Sequence, residues 1–219
     1  MDEHTEHTRH ETHADHSGHE MHGTHGTHDD PGALTSMAVA ATLHCLTGCA
    51  IGEIAGLIIG TAAGIGNVGT IVISTALAFV FGFSLSSLPL LKAGLTVAAT
   101  LSVVVAADTL SIATMEVVDN LVMAVIPGAM NAGLVNPTFW ISMAISLAVA
   151  FVAAFPVNRI LLARGQGHAL THRYHGMEGA ADGFRARIPS FSTTALVAVL
   201  LAFMLGGLVV SIADHLSTT

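Results

Sequence analysis

The 219-residue chain is 52% hydrophobic, 10% charged and carries a net charge of −8. A soluble domain carries about 25% charged residues, and here the apolar residues gather in membrane-length runs, so an ordinary soluble domain is excluded and a polytopic transmembrane helical bundle is expected. The acidity is uneven, because residues 1–30 hold eight acids and one base (Arg9).

Residues 1–32 read as a disordered, low-complexity tail, with the transmembrane domain at 33–219. Histidine recurs every third position: His4, His7, His10, His13, His16, His19, His22, His25 and His28. Neutral imidazole is the commonest metal ligand, and nine on one tether concentrate weak sites for metal capture. Protonation near pH 6.5 would turn the same segment from acidic to basic, so a pH response is a second reading. The polar N-terminus does not have the form of a cleavable signal.

A first span is expected at about residues 34–61, carrying glycines at four-residue spacing: Gly48, Gly52, Gly56 and Gly60, continued by Gly64. Such a ridge lets another helix approach closely. It is expected to bring the third span against the first, or to join two copies in a homo-oligomer. A turn follows at Gly64-Ile65-Gly66-Asn67, and a second span at about 68–88 ends at Pro89.

The third apolar run, about 90–126, would be ~55 Å long as one helix, longer than a bilayer is thick. Pro127-Gly128 closes it. A single crossing gives five spans; a break near Asp108 gives six. A fourth span is expected at about 137–155, ending before Pro156, a polar loop at about 158–188, and a last span at about 190–212. Lys92 and the arginines of the polar loop fall on one side only in the five-span version. By the positive-inside rule that side is the cytoplasm, which puts the N-terminus in the cytoplasm and the protein in the cytoplasmic (inner) membrane.

Four acids lie in these runs: Glu53, Asp108, Glu116 and Asp119. No Lys or Arg shares the runs, and an ionised acid in hydrocarbon costs several kcal/mol, roughly, unless answered by a proton, water or a cation. Cys45, Cys49 and Glu53 follow i, i+4, i+8 on one helical flank, with His44 about 100° round the helix. Thiolate and imidazole suit zinc, copper, nickel or cobalt. Asp108, Met115, Glu116, Asp119 and Met123 fall within an arc of about 100° on one helix, the placement from which helical bundles build metal sites. The competing readings are ordinary packing for the thiols and thioethers, and a protonated polar stripe for the acids. His168, His172, Arg173 and His175 make a smaller cluster in the polar loop, read either as a metal-handoff site or as a basic lipid-facing segment. No phosphate loop, nucleophile elbow or dinucleotide fingerprint is present; a transporter or membrane binding protein is expected ahead of an enzyme, and no nucleic-acid partner.

Three stretches carry a resemblance: Thr42-Leu43-His44-Cys45 through Gly52-Glu53, Ala107-Asp108-Thr109 through Asp119-Asn120, and Phe155-Pro156-Val157-Asn158-Arg159. Over about residues 37–176 the chain resembles an uncharacterised family of bacterial and archaeal membrane proteins, catalogued as domain of unknown function 4396. The resemblance implies a multi-pass membrane protein and no particular activity. The residues themselves point to binding and movement of a transition-metal cation through His44, Cys45, Cys49, Glu53, Asp108, Met115, Glu116 and Asp119. The alternatives are a membrane redox protein (dithiol or haem) and a metal or pH sensor that transports nothing.

Overall fold

A computed structural model describes residues 31–164, 183 and 187–217. The histidine tail up to residue 30 and the His168–His175 cluster lie outside the described residues. Among the described residues five α-helices follow one another up and down: α1 (Pro31–Ala62), α2 (Asn67–Lys92), α3 (Val97–Val125), α4 (Pro137–Ala163) and α5 (Thr193–Ser217), with a one-turn 3-10 helix (Ala129–Asn131) before α4. All five are long and apolar enough to cross a bilayer, and there is no strand among the described residues. Large apolar side chains such as Val72, Leu101, Leu121, Val152 and Leu205 point outward. Helices whose backbone bonds are all internal, with an apolar exterior, are one of the few structures stable in lipid. The protein is therefore a multi-pass helical membrane protein.

The third run resolves as one crossing, and the interruption falls earlier than expected. Gly94 takes a left-handed conformation (φ 103°), and Leu95 N–H donates back to the Leu90 carbonyl at 3.1 Å, the bond pattern that closes a helix on a glycine. Thr96 then caps α3, its hydroxyl accepting from Ala99 N–H at 3.3 Å. Asp108 sits mid-helix, so the six-span alternative is set aside.

Two prolines expected to end helices do not. Pro89 lies inside α2 and Pro156 inside α4. A proline forgoes one intrahelical bond, which neighbouring groups in a bundle can offset. Consequently Asn158 and Arg159 belong to α4, and the polar loop starts at Arg164 instead of 158.

The glycine ridge is used within the chain, against α2 and not α3. A Cβ at Gly48 would stand 2.5 Å from Gly82 Cα, and Gly52, Gly56 and Gly60 lie on Ala78, Ser74 and Thr70 in turn. Ser74 hydroxyl donates across this seam to the Glu53 carbonyl at 3.4 Å. The ridge is thus already covered, and a homo-oligomer has to use another face. The Cys45–Cys49–Glu53 flank is displaced from the ridge by one residue, about 100°, and that flank meets α3. α5 closes the bundle against α1 and α4, where Gly207 lies on the Trp140 ring and Phe203 packs edge-on to it at 5.6 Å.

The up-and-down course puts Lys92, Arg159, Arg164 and Arg187 at one end of the bundle. The α1–α2 and α3–α4 connections occupy the other, where Asn67 and Asn131 are joined side chain to side chain at 3.0 Å.

Candidate functional site

At that second end a cavity of about 310 Å³ opens between α1, α2, α3, the 3-10 helix and the start of α4. Asn67, Asn120, Asn131, Glu53 and Asp119 are among the residues that line it. Glu53 is nine residues from the end of α1, so it lies ~14 Å below the helix terminus at 1.5 Å per residue. Its carboxyl lies against that of Asp119, and Ser146 of α4 donates a hydrogen bond to Asp119 Oδ1. Two carboxyls in contact need a proton or a cation between them.

Deeper in the bundle the polar groups continue as a file between α1, α2 and α3. Glu116 faces Cys49 and the half-buried Thr75. It is 3% exposed, and neither of its oxygens has a hydrogen-bond partner among the described residues. One further step along α1, Cys45 lies among Asp108, Ser111 and Ser86, all four of them buried. The hydroxyls of Ser86, Ser111 and Thr100 have no hydrogen-bond partner among the described residues. Both cysteines are free thiols. From Cys45 to Glu53 the file covers ~12 Å along α1.

Beyond Cys45 the acids and thiols of the file end. Thr42 hydroxyl accepts a hydrogen bond from Asn158 Nδ2 at 2.9 Å, joining α1 to α4, and Ala38, Ala41, Leu90 and Val104 are buried around that level. The cavity therefore opens at the asparagine end, and buried side chains close the bundle toward the basic end.

Of the residues singled out in the sequence, Cys45 with Asp108, Cys49 with Glu116 and Glu53 with Asp119 form successive pairs across the α1–α3 seam. Two stand apart. Met115 is buried in the core cluster with Ile112 and Met143. His44 is half-buried and falls in the register of the glycine ridge; its Nδ1 lies 2.9 Å from the Ala40 carbonyl. A carbonyl oxygen only accepts, so that contact makes Nδ1 the donor. Among the described residues no three His, Cys, Asp or Glu side chains converge as a fixed metal centre needs. The donors are strung out instead of caged.

Sequence reasoning missed Ser146, Thr75, Ser86, Asn158 and the methionines Met130 and Met143 that line the cavity. Ser142 and Ser146, both buried one turn apart in an apolar helix, were the available signal for an inward polar face on α4. Nothing in the sequence pairs Thr75 or Ser86 with the α3 acids.

A family model described as Domain of unknown function (DUF4396) matches residues 35–167, covering α1 to α4 and the file. No curated protein and no solved structure matches the chain.

Proposed function

Because the chain belongs to the DUF4396 family, whose description carries no activity, we propose its function from the file itself: it binds a transition-metal cation in the membrane and moves it along the carboxylate–thiol path. The observation that carries this reading is Glu116, an acid sealed in the bundle with no hydrogen-bond partner among the described residues. The sequence offers it no help, since Lys and Arg are absent from residues 31–91 and 93–158. A buried acid of this kind is costly and is retained where it has work to do.

A strung-out set of two- and three-donor stations suits passage better than storage. Conduction needs binding strong enough to admit an ion and weak enough to release it. The vestibule supplies the entrance. Glu53 with Asp119 forms the first station, Glu116 with Cys49 the second, and Cys45 with Asp108 and its neighbouring hydroxyls the third. His44 stands beside the far end, on the adjacent face of α1. By the positive-inside rule the basic end is read as cytoplasmic; on that reading the vestibule faces outward, and the histidine tail captures or buffers the metal on the inner side. In this conformation the sealed level around Thr42 and Asn158 is the inner gate. Alternating access requires a second conformation in which that level parts.

The test is metal uptake into vesicles containing the purified protein. Glu53→Gln with Asp119→Asn removes both entrance charges and keeps the shapes. Uptake is expected to fall by at least about tenfold, the cost of roughly 1.4 kcal/mol or more in binding the ion at the entrance. Undiminished uptake in the double variant rejects the path.

A further inference from the structure

We infer that the vestibule receives a soft monovalent ion of the Cu⁺ or Ag⁺ class through three methionine thioethers, Met123, Met130 and Met143. They come from three separate elements, α3, the 3-10 helix and α4, and all line the one cavity that also holds Glu53 and Asp119. This deepens the cation-path reading and rests on it.

Methionine is a common gap filler in cores, and that role fits Met115 and Met204, which are sealed in the core cluster. Met143 belongs to the same cluster and Met123 packs against it, but these two and Met130 also reach the cavity wall, which Met115 and Met204 do not. Met123 and Met130 are only half-buried, at the wall of an opening whose deeper part is acidic. An uncharged thioether offers little to Zn²⁺, Ni²⁺ or a hard ion, but soft sulfur ligands select Cu⁺. The adjoining carboxylates supply the negative charge that thioethers lack. Thiols, the stronger soft ligands, come next at Cys49 and Cys45. The donor order along the path is therefore thioether, carboxylate, thiol, which draws a soft ion inward by rising affinity. No electron transfer is involved; the ion enters in the oxidation state in which it is bound.

The full-length protein in lipid nanodiscs, carrying ¹³C-methyl methionine, provides the test. Ag⁺ serves as the redox-inert probe and Zn²⁺ as the hard comparison. Single Met→Leu variants, close in volume, assign the three resonances. The expected result is that the Met123, Met130 and Met143 methyl signals shift together and saturate with Ag⁺, hold still with Zn²⁺, and leave Met115 and Met204 unmoved. Replacing all three by Leu is expected to weaken Ag⁺ binding at this position by tenfold or more. Three silent methyls in the presence of bound Ag⁺, or equal shifts with Zn²⁺, overturn the inference. If the methyls are silent while the Glu53→Gln/Asp119→Asn protein still loses uptake, only the soft-ion entrance fails. If the methyls respond while that protein keeps full uptake, the soft-ion site stands and the transport path fails.

Discussion

Ser146 of α4 donates its hydroxyl to the Asp119 carboxylate of α3, and so a helix outside the α1–α3 seam fixes one half of the entrance pair. The same hydroxyl lies 3.0 Å from the Met143 carbonyl of its own helix. This anchor holds Asp119 against Glu53 and keeps it from rotating toward the open cavity. Ser146→Ala is expected to leave the fold intact, at a cost of about 1 kcal/mol, typical of one hydrogen bond between membrane helices. Its functional effect is larger than its structural one: the apparent affinity for the transported ion should fall by about three- to tenfold, with maximal rate little changed. Uptake measured against ion concentration separates the two.

The bond from Asn158 to Thr42 makes a different claim, that the basic end is held shut by a polar clasp. Asn158→Leu leaves the Thr42 hydroxyl with its own-helix bond to the Ala38 carbonyl at 2.7 Å, so the loss is the interhelical bond alone, about 1 kcal/mol. A weakened clasp favours the open inner gate. The expected result is greater thiol labelling of Cys45 by a membrane-impermeant reagent applied from the basic side. Labelling that stays at the wild-type level assigns the pair to packing only.

Glycine at position 52 is demanded by contact with α2 and not by backbone conformation. An added side chain would meet the Ala78 backbone, and backbone cannot rotate out of the way. Gly52→Val is therefore expected to destabilise by more than the ~1–3 kcal/mol of ordinary overpacking, and to deplete folded protein in the membrane. Gly206 of α5 meets nothing within 4 Å, so Gly206→Ala should be neutral or slightly stabilising. Fluorescence-detected size-exclusion melting of the two variants makes the comparison.

For the histidine tail, deletion of residues 1–30 is expected to remove the weakest class of bound metal and leave uptake by the bundle measurable. Neutral imidazole is the ligand, so this class should vanish as pH falls through about 6.5. Calorimetric titration of the full chain and the shortened chain at pH 7.5 and 5.5 checks both statements. Loss of all uptake on deletion would make the tail the functional element and the bundle its anchor.

Span number and the membership of the α1–α3 file were legible in the sequence because both follow from local periodicity. Cys45, Cys49 and Glu53 share a flank through i, i+4 spacing, and Asp108, Glu116 and Asp119 share a face for the same reason. Which helix fills which face was not legible. The glycine ridge specifies close approach but carries no label for its partner, and α2 took it by following directly through a tight turn. Helix ends at Pro89 and Pro156 were misjudged because proline penalties measured in water overstate the cost inside a packed bundle. The vestibule was invisible for another reason: its methionines and asparagines come from four elements, and no spacing rule joins them.

The central claim is that the sealed acids serve a passing cation. Glu116→Gln tests it most directly, by uptake into vesicles and thermal melting of the same preparations. An acid kept for transport contributes little to stability, so the account predicts at least a tenfold slower uptake with a melting temperature equal to or above that of the parent. Parent-like uptake together with a lowered melting temperature would show that Glu116 holds the bundle together and carries nothing.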